Sequence, residues 1–152
     1  MKSEPDVYSI DDLERDGQEF WEGVRNYQAR NFMRAMKKSD LALFYHSNSK
    51  PSGVVGVAKI VGEAYPDPTQ FDKTSPYFDK KPSKDGTPRW DVVDVAFEEK
   101  FESILSLSDL KDCDELTTMH VVQKGSRLSV TPVEKAHFLR VLKLAGSKLR
   151  IR

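Results

Sequence analysis

Seven residues of this chain are of types that can hold a flat heterocycle. Trp21 and Trp90 each bring an indole face, Tyr27 and Tyr45 bring phenol rings, and Ser3, Asn26 and Ser47 bring short hydrogen-bonding side chains. Trp21 stands just ahead of Gly23 and of a helix start predicted at Asn26, and Trp90 ends a long loop. Both are places where a side chain lines a cleft instead of filling a sheet interior. Tryptophan is a core residue as often as a ligand, so the placement carries the argument. Two indole faces can sandwich a planar ring while an amide or hydroxyl reads its polar edge. Unstacked nucleobases are held in this way, with stacking contributing about 1–3 kcal/mol per base. Arg25, Arg30 and the free N–H groups at the helix start are placed to take a phosphate beside such a base.

The signatures of most enzyme classes are absent. The sequence has no HExxH, no GxxxxGK[ST], no GxGxxG after a strand and no Cys/His metal pattern, so no catalytic residue, metal ligand or cofactor is expected. Ser47 to Lys50 matches SxxK in letters, but that motif needs a helix to align its serine and lysine, and here it falls at a strand end and turn. His46, His120 and His137 are scattered, with no partners that would make a triad.

Composition narrows the class further. With 152 residues and 38% hydrophobic content the chain suits one compact core. Charged residues make up 32% and cancel to a net charge of zero, so any attraction to nucleic acid must be local. The single cysteine, Cys113, excludes an internal disulfide framework, and no stretch reaches membrane-spanning length. A cytoplasmic protein with no membrane partner is the expectation. The charge is nonetheless segregated. Arg25, Arg30, Arg34, Lys37 and Lys38 follow an acidic first segment, and a basic tail runs from Lys135 to Arg152 with no acid.

These residues need elements to hold them. Ser9 is placed to cap a short helix through Leu13, and Asn26 to cap a second. In the second, Ala29, Phe32, Met33 and Met36 fall on one apolar stripe, with Tyr27, Arg30, Arg34 and Lys38 opposite. Leu41 to Ser47 and Gly53 to Tyr65 read as a hairpin around a turn containing Pro51, and Asp91 to Leu105 as a long strand with one buried face. A short helix is expected near Ser106 or Ser108, a last strand over Arg127 to Val130, and a final helix from Pro132 to about Leu144 capped by Thr131 with Glu134 reaching back. From Pro66 to Arg89 a loop carries five of the eight prolines (Pro66, Pro68, Pro76, Pro82 and Pro88) among Phe71, Tyr77, Phe78 and four lysines. A loop of that length in a compact domain is usually functional, and this composition suggests a lid.

Lys2 to Pro5 (KSEP), Trp21 to Arg34 (WEGVRNYQARNFMR), Tyr45 to Ser47 (YHS), Arg89 and Trp90 (RW) and Arg127 to Val133 (RLSVTPV), in that order, resemble the EVE domain family over essentially the whole chain. The resemblance implies an α+β, PUA-like fold: a curved mixed β-sheet or pseudo-barrel with flanking short helices, related to the YTH domains that read methylated adenine in RNA. It would form one domain over residues 1–146, with 147–152 as a basic tail. It also implies a non-enzymatic module that binds a modified nucleobase in an aromatic cage, first a modified cytosine in DNA and otherwise a modified base in RNA. The residues carried over for the base pocket are Lys2, Ser3, Trp21, Asn26, Tyr45, Ser47 and Trp90. Those for phosphate and backbone contact are Arg25, Tyr27, Arg30, Arg34 and Arg127. Two features depart from the family pattern. Only Met1 precedes the KSEP stretch, which predicts a shortened first strand, and Ser39 stands where a glycine commonly ends the helix. Two other readings compete. One is an amidohydrolase of the related ASCH type acting on modified cytidine, through Lys2 or Lys59 with Glu63. The other is a small-molecule or protein-interaction module built on the proline-rich loop.

Overall fold

The computed structural model describes residues 1–81 and 83–151. Pro82 of the long loop and Arg152 of the basic tail lie outside the described residues. A five-stranded sheet forms the centre, in the order β1 (Lys2–Ser3), β3 (Leu41–His46), β4 (Gly53–Ile60), β7 (Asp94–Ser106) and β2 (Gln18–Phe20). β1 runs parallel to β3 and all other neighbours are antiparallel, so the sheet is mixed. Register shifts at Phe44/Tyr45, Val54/Gly56 and Val57/Ala58 put bulges into β3 and β4, and bulges bend and twist the strands that carry them. The result is the curled, mixed half-barrel that the sequence led us to expect. The first strand spans two residues.

Both faces of this sheet are covered, which explains why β4 is buried along nearly all of its length. On one face Phe44, Val55, Ala58, Val93 and Val95 pack with Ile10 and Leu13 of α1 (Ile10–Asp16) and with Ala29 and Met33 of α2 (Tyr27–Arg34). On the other, Leu43, Tyr45, Val54, Val57, Phe101 and Leu105 pack with Leu110 of α3 (Leu107–Lys111) and with Phe138, Val141 and Leu142 of α4 (Lys135–Leu144). Gly56 is required where these layers meet, because a Cβ there would lie 2.2 Å from the carbonyl oxygen of Glu99 and 3.0 Å from Ile10.

The helix starts follow from their caps. The Ser9 hydroxyl accepts from the Asp12 N–H while Asp12 accepts from the Ser9 N–H, and Ser106 and Asp109 repeat this reciprocal pair at α3. Asn26 Oδ1 accepts from the N–H groups of Gln28 and Ala29, at 2.9 and 3.0 Å. Ile10 N–H donates to His46 Nε2, and burial lowers the His46 pKa against the pull of Asp11 and Asp12. Ser39 has φ +78° and donates its N–H to Ile60, so it occupies the left-handed position in which glycine is the easier residue.

Two expectations at the C-terminal end are corrected. Arg127 to Val130 forms no strand, although Ser129 accepts a hydrogen bond from the Lys2 N–H at 2.8 Å. The last helix begins at Lys135 with Glu134 at its N-cap, and Thr131 forms no capping box. Extended backbone through this stretch lets Val130 enter one core and Val133 pack on the other, which an early helical turn would prevent. The tail is docked as well: the Ser147 hydroxyl and the Lys148 N–H both donate to the Glu99 carboxylate. Among the described residues, no helix is long and apolar enough to cross a membrane.

Candidate nucleic-acid interface

A cleft of about 460 Å³ opens where β1, the turn after it and the chain from Glu19 to Val24 come together. This is an ordinary size for a small-ligand site. Four aromatic residues line it: Tyr8, Phe20, Trp21 and Tyr77. Lys2, Ser3, Glu4, Glu19, Glu22 and Ser129 supply its polar groups. Trp21 is buried yet borders the cleft, its ring fixed by an edge-on contact with Phe44 at 5.4 Å and its backbone N–H donating to the Val93 carbonyl. Ser3 donates its hydroxyl to the Tyr8 carbonyl, and Tyr8 donates its own to Asp16.

Tyr77 arrives from the long loop by a close approach. Gly23 has φ +79°, and a Cβ on it would lie 2.6 Å from two atoms of the Tyr77 ring, so the ring rests directly on the bare glycine backbone. The loop that carries it is tied down at its root. β5 (Tyr65–Pro66) pairs with β6 (Asp91–Val92), and the buried Gln70 side chain donates to the Asp67 and Trp90 carbonyls while accepting from the Trp90 N–H. Asp67 is fully buried and accepts from the Gly23 N–H, from Arg25, and from both the N–H and hydroxyl of Thr69. Burial alone would raise its pKa, but these donors outweigh it and hold the carboxyl below its ordinary value.

Arg25 locks the assembly. Its guanidinium donates to the Tyr77 carbonyl twice, to Asp67, to Thr69 and to the Val24 carbonyl, which occupies all five N–H groups. It also lies 5.7 Å from the Tyr77 ring centre and 5.6 Å from that of Trp90. Arg25 is therefore committed to holding the loop and has no N–H left over for a phosphate.

The two indoles do not face each other. Trp90 is 5% exposed and does not border the cleft. It stacks on Tyr27 at 5.0 Å, with Arg89 5.1 Å from its centre, and stands one layer behind Tyr77 with Arg25 between them. Of the other residues carried over for the pocket, Lys2 and Ser3 line the cleft and Asn26, Tyr45 and Ser47 do not. Asn26 spends its side-chain oxygen on the helix cap, Tyr45 is buried in the second core, and Ser47 donates its N–H to the Ser3 carbonyl and so holds β1 in place. Lys59 and Glu63, considered for hydrolysis, lie away from the cleft.

The basic residues differ in availability. Arg34 pairs with Asp91, and Arg89 makes a two-pronged pair with Asp79 while donating to the Tyr27 hydroxyl. Arg30 donates to the Arg89 carbonyl and to Asn31 and lies over the Tyr27 ring at 4.7 Å. Tyr27 is half-exposed and Arg127 exposed. Two charged residues that line the cleft, half-buried Lys2 and exposed Glu22, are perturbed. Burial lowers the pKa of Lys2, while burial, with Asp67 and Glu19 nearby and Arg25 opposing, raises that of Glu22. Tyr8, Phe20 and Tyr77 were missed by sequence reasoning. Gly23 is the one local signal that could have indicated Tyr77, as a place where another group comes against the backbone.

A model of the EVE domain family matches residues 1–144. The chain belongs to the EVE domain family. Thymocyte nuclear protein 1 of Gallus gallus is 42% identical over 167 residues, covering 97% of this chain and 68% of that protein. The Homo sapiens protein of the same name is 42% identical over 163 residues, covering 95% and 72%. A solved structure of a Pseudomonas putida protein superposes on this EVE domain with a TM-score of 0.91 at 48% identity, covering 95% of this chain and 97% of that one. A crystal structure of human THYN1 protein in complex with DNA containing 5-methylcytosine has a TM-score of 0.89 at 41% identity, covering 98% and 97%. The EVE fold expected from the sequence is thus the fold found.

Proposed function

We propose that this EVE domain binds DNA and takes a single modified base, a modified cytosine, out of the duplex and into the cleft beside Trp21. The observation that carries the proposal is the composition of the cleft: four aromatic side chains around a space of ligand size, with Lys2 and Ser3 among its polar groups. A relative 41% identical to this chain has been crystallised with DNA containing 5-methylcytosine, which favours DNA over RNA as the first partner to test. Extrusion is needed because neither side of a stacked base is accessible in a duplex, and the cost of unstacking must be recovered by restacking on protein.

In this reading Trp21 and Tyr77 are the stacking walls, Lys2 and Ser3 meet the polar edge of the base, and Trp90 stiffens the Tyr77 wall from behind through Arg25. Tyr27, Arg30 and Arg127 are the candidates for backbone contact. Arg25 and Arg34 act within the protein. With so few phosphate contacts the salt dependence of binding is shallow compared with a groove-binding protein.

The test is the affinity of labelled duplexes that differ at one central cytosine, methylated or plain, with single-stranded RNA as a third arm. The methylated duplex binds tightest. Trp21→Ala weakens it about tenfold or more, as expected for loss of one stacking face, with far-UV circular dichroism unchanged. Equal affinity for plain and methylated DNA, or an affinity indifferent to Trp21→Ala, defeats the proposal.

A further inference from the structure

The cleft has a feature that sits oddly with binding a polyanion. Its lining contributes three carboxylates, Glu4, Glu19 and Glu22, against a single ammonium, that of Lys2. Glu4 accepts from the Asn48 side chain, and Glu19 from the N–H of Phe20. The Glu22 carboxylate makes no hydrogen bond among the described residues. The Arg25 guanidinium next to Val24 has all five N–H groups occupied, so it cannot swing in to bond an incoming anion. The fully buried Asp67 carboxylate behind Gly23 is offset by its ion pair with Arg25 at 3.0 Å, so the excess negative charge is that of the lining glutamates. Glu19 is half-buried while Glu4 and Glu22 are exposed, so the negative charge stands at the mouth of the cleft, where it is felt within about a Debye length.

We infer that the cleft is a charge filter: it admits neutral bases that turn an amine toward Glu22 and Glu19, and excludes bases carrying an anionic modification. This inference rests on the proposed base-reading function and specifies which modifications that function can include. A carboxylate only accepts hydrogen bonds, so an exocyclic amine such as that of cytosine is a suitable neighbour and a second carboxylate is not. The phosphates of the DNA are kept outside for the same reason, which separates base recognition at the cleft from backbone contact around Arg30 and Arg127.

The experiment uses the full chain and duplexes with one central cytosine bearing a 5-methyl, a 5-carboxyl or a 5-carboxamide group. The carboxamide has the shape of the carboxylate without its charge. The expected result is that the 5-carboxyl duplex binds about tenfold or more weaker than the 5-methyl duplex, the 5-carboxamide duplex stays close to the 5-methyl one, and Glu22→Gln with Glu19→Gln removes most of the gap. If the 5-carboxyl duplex binds as well as the 5-methyl one, the filter does not exist. If the carboxamide is rejected as strongly as the carboxylate, shape and not charge discriminates, and if the glutamine variants leave the gap intact, Glu22 and Glu19 are not its source; either result overturns the inference. If the 5-methyl duplex shows no preference over plain DNA, the base-reading function itself has failed, and the inference falls with it.

Discussion

The close approach of Tyr77 to Gly23 allows the cleft wall to be perturbed by one methyl group. In Gly23→Ala the new Cβ falls 2.6 Å from Cε1 and Cζ of Tyr77, where ordinary contact begins near 3.4 Å, so the ring must retreat by most of an ångström. Two costs add. An alanine at φ +79° costs about 1 kcal/mol for the left-handed conformation, and displacing a packed ring costs about 1–3 kcal/mol. The expected loss of stability is therefore about 2–4 kcal/mol. The second cost vanishes when the ring is absent. Tyr77→Ala in the Gly23→Ala background should thus leave only the backbone cost, and the double variant should be more stable than additivity predicts by about 1 kcal/mol or more. The assay is urea unfolding of all four proteins, with binding of the methylated duplex measured in parallel. Gly23→Ala should weaken binding in the same direction as Tyr77→Ala and by less, because it displaces the ring that Tyr77→Ala removes. Additive stabilities within about 0.5 kcal/mol, or a Gly23→Ala protein that binds as well as the parent, would refute the assignment of Tyr77 to the wall.

Other outcomes follow from individual contacts. Asp67 has its folded-state pKa depressed, so the folded protein binds fewer protons there than the unfolded chain. Its contribution to stability is complete above the unfolded carboxyl value near 4 and is lost as pH falls through the folded value. Asp67→Asn should therefore lower stability at neutral pH by about 2–3 kcal/mol and make the acid limb below about pH 4 shallower in a pH-resolved urea titration. Ser39→Gly removes a non-glycine residue from φ +78° and should raise stability by up to about 1 kcal/mol, read as a higher urea midpoint at unchanged slope.

Much of the fold was legible because its signals are local. The Asn26 cap, the Ala29–Met33 stripe, the hairpin of β3 and β4 and the Ser106 start of α3 each depend on residues within a few positions of one another. β2 was missed because its three residues, Gln18 to Phe20, are too few to show an alternating pattern and are set by pairing with Asp94 to Ala96. The capping box at Thr131 is locally sound and was overridden by the need to place Val130 and Val133 in separate cores. The site divides in the same way. Lys2, Ser3 and Trp21 come from the segments whose motifs marked them, and they do line the cleft. Tyr77 meets Gly23 across more than fifty residues of chain, and Trp90 is drawn away by Gln70, Tyr27 and Arg25, contacts that no spacing rule encodes.

The central claim is that a modified base stacks on Trp21. With two tryptophans in the chain, replacing one leaves the other as a reporter. In Trp90→Phe, titration with a methylated duplex should quench the remaining indole emission of Trp21 in step with binding, since a base stacked on the ring provides a direct quenching path. In Trp21→Phe the remaining emission, that of Trp90, should stay nearly constant at duplex concentrations that saturate the parent. Quenching of Trp90 with Trp21 unaffected, or saturated binding that leaves the Trp21 emission unchanged, would contradict the account.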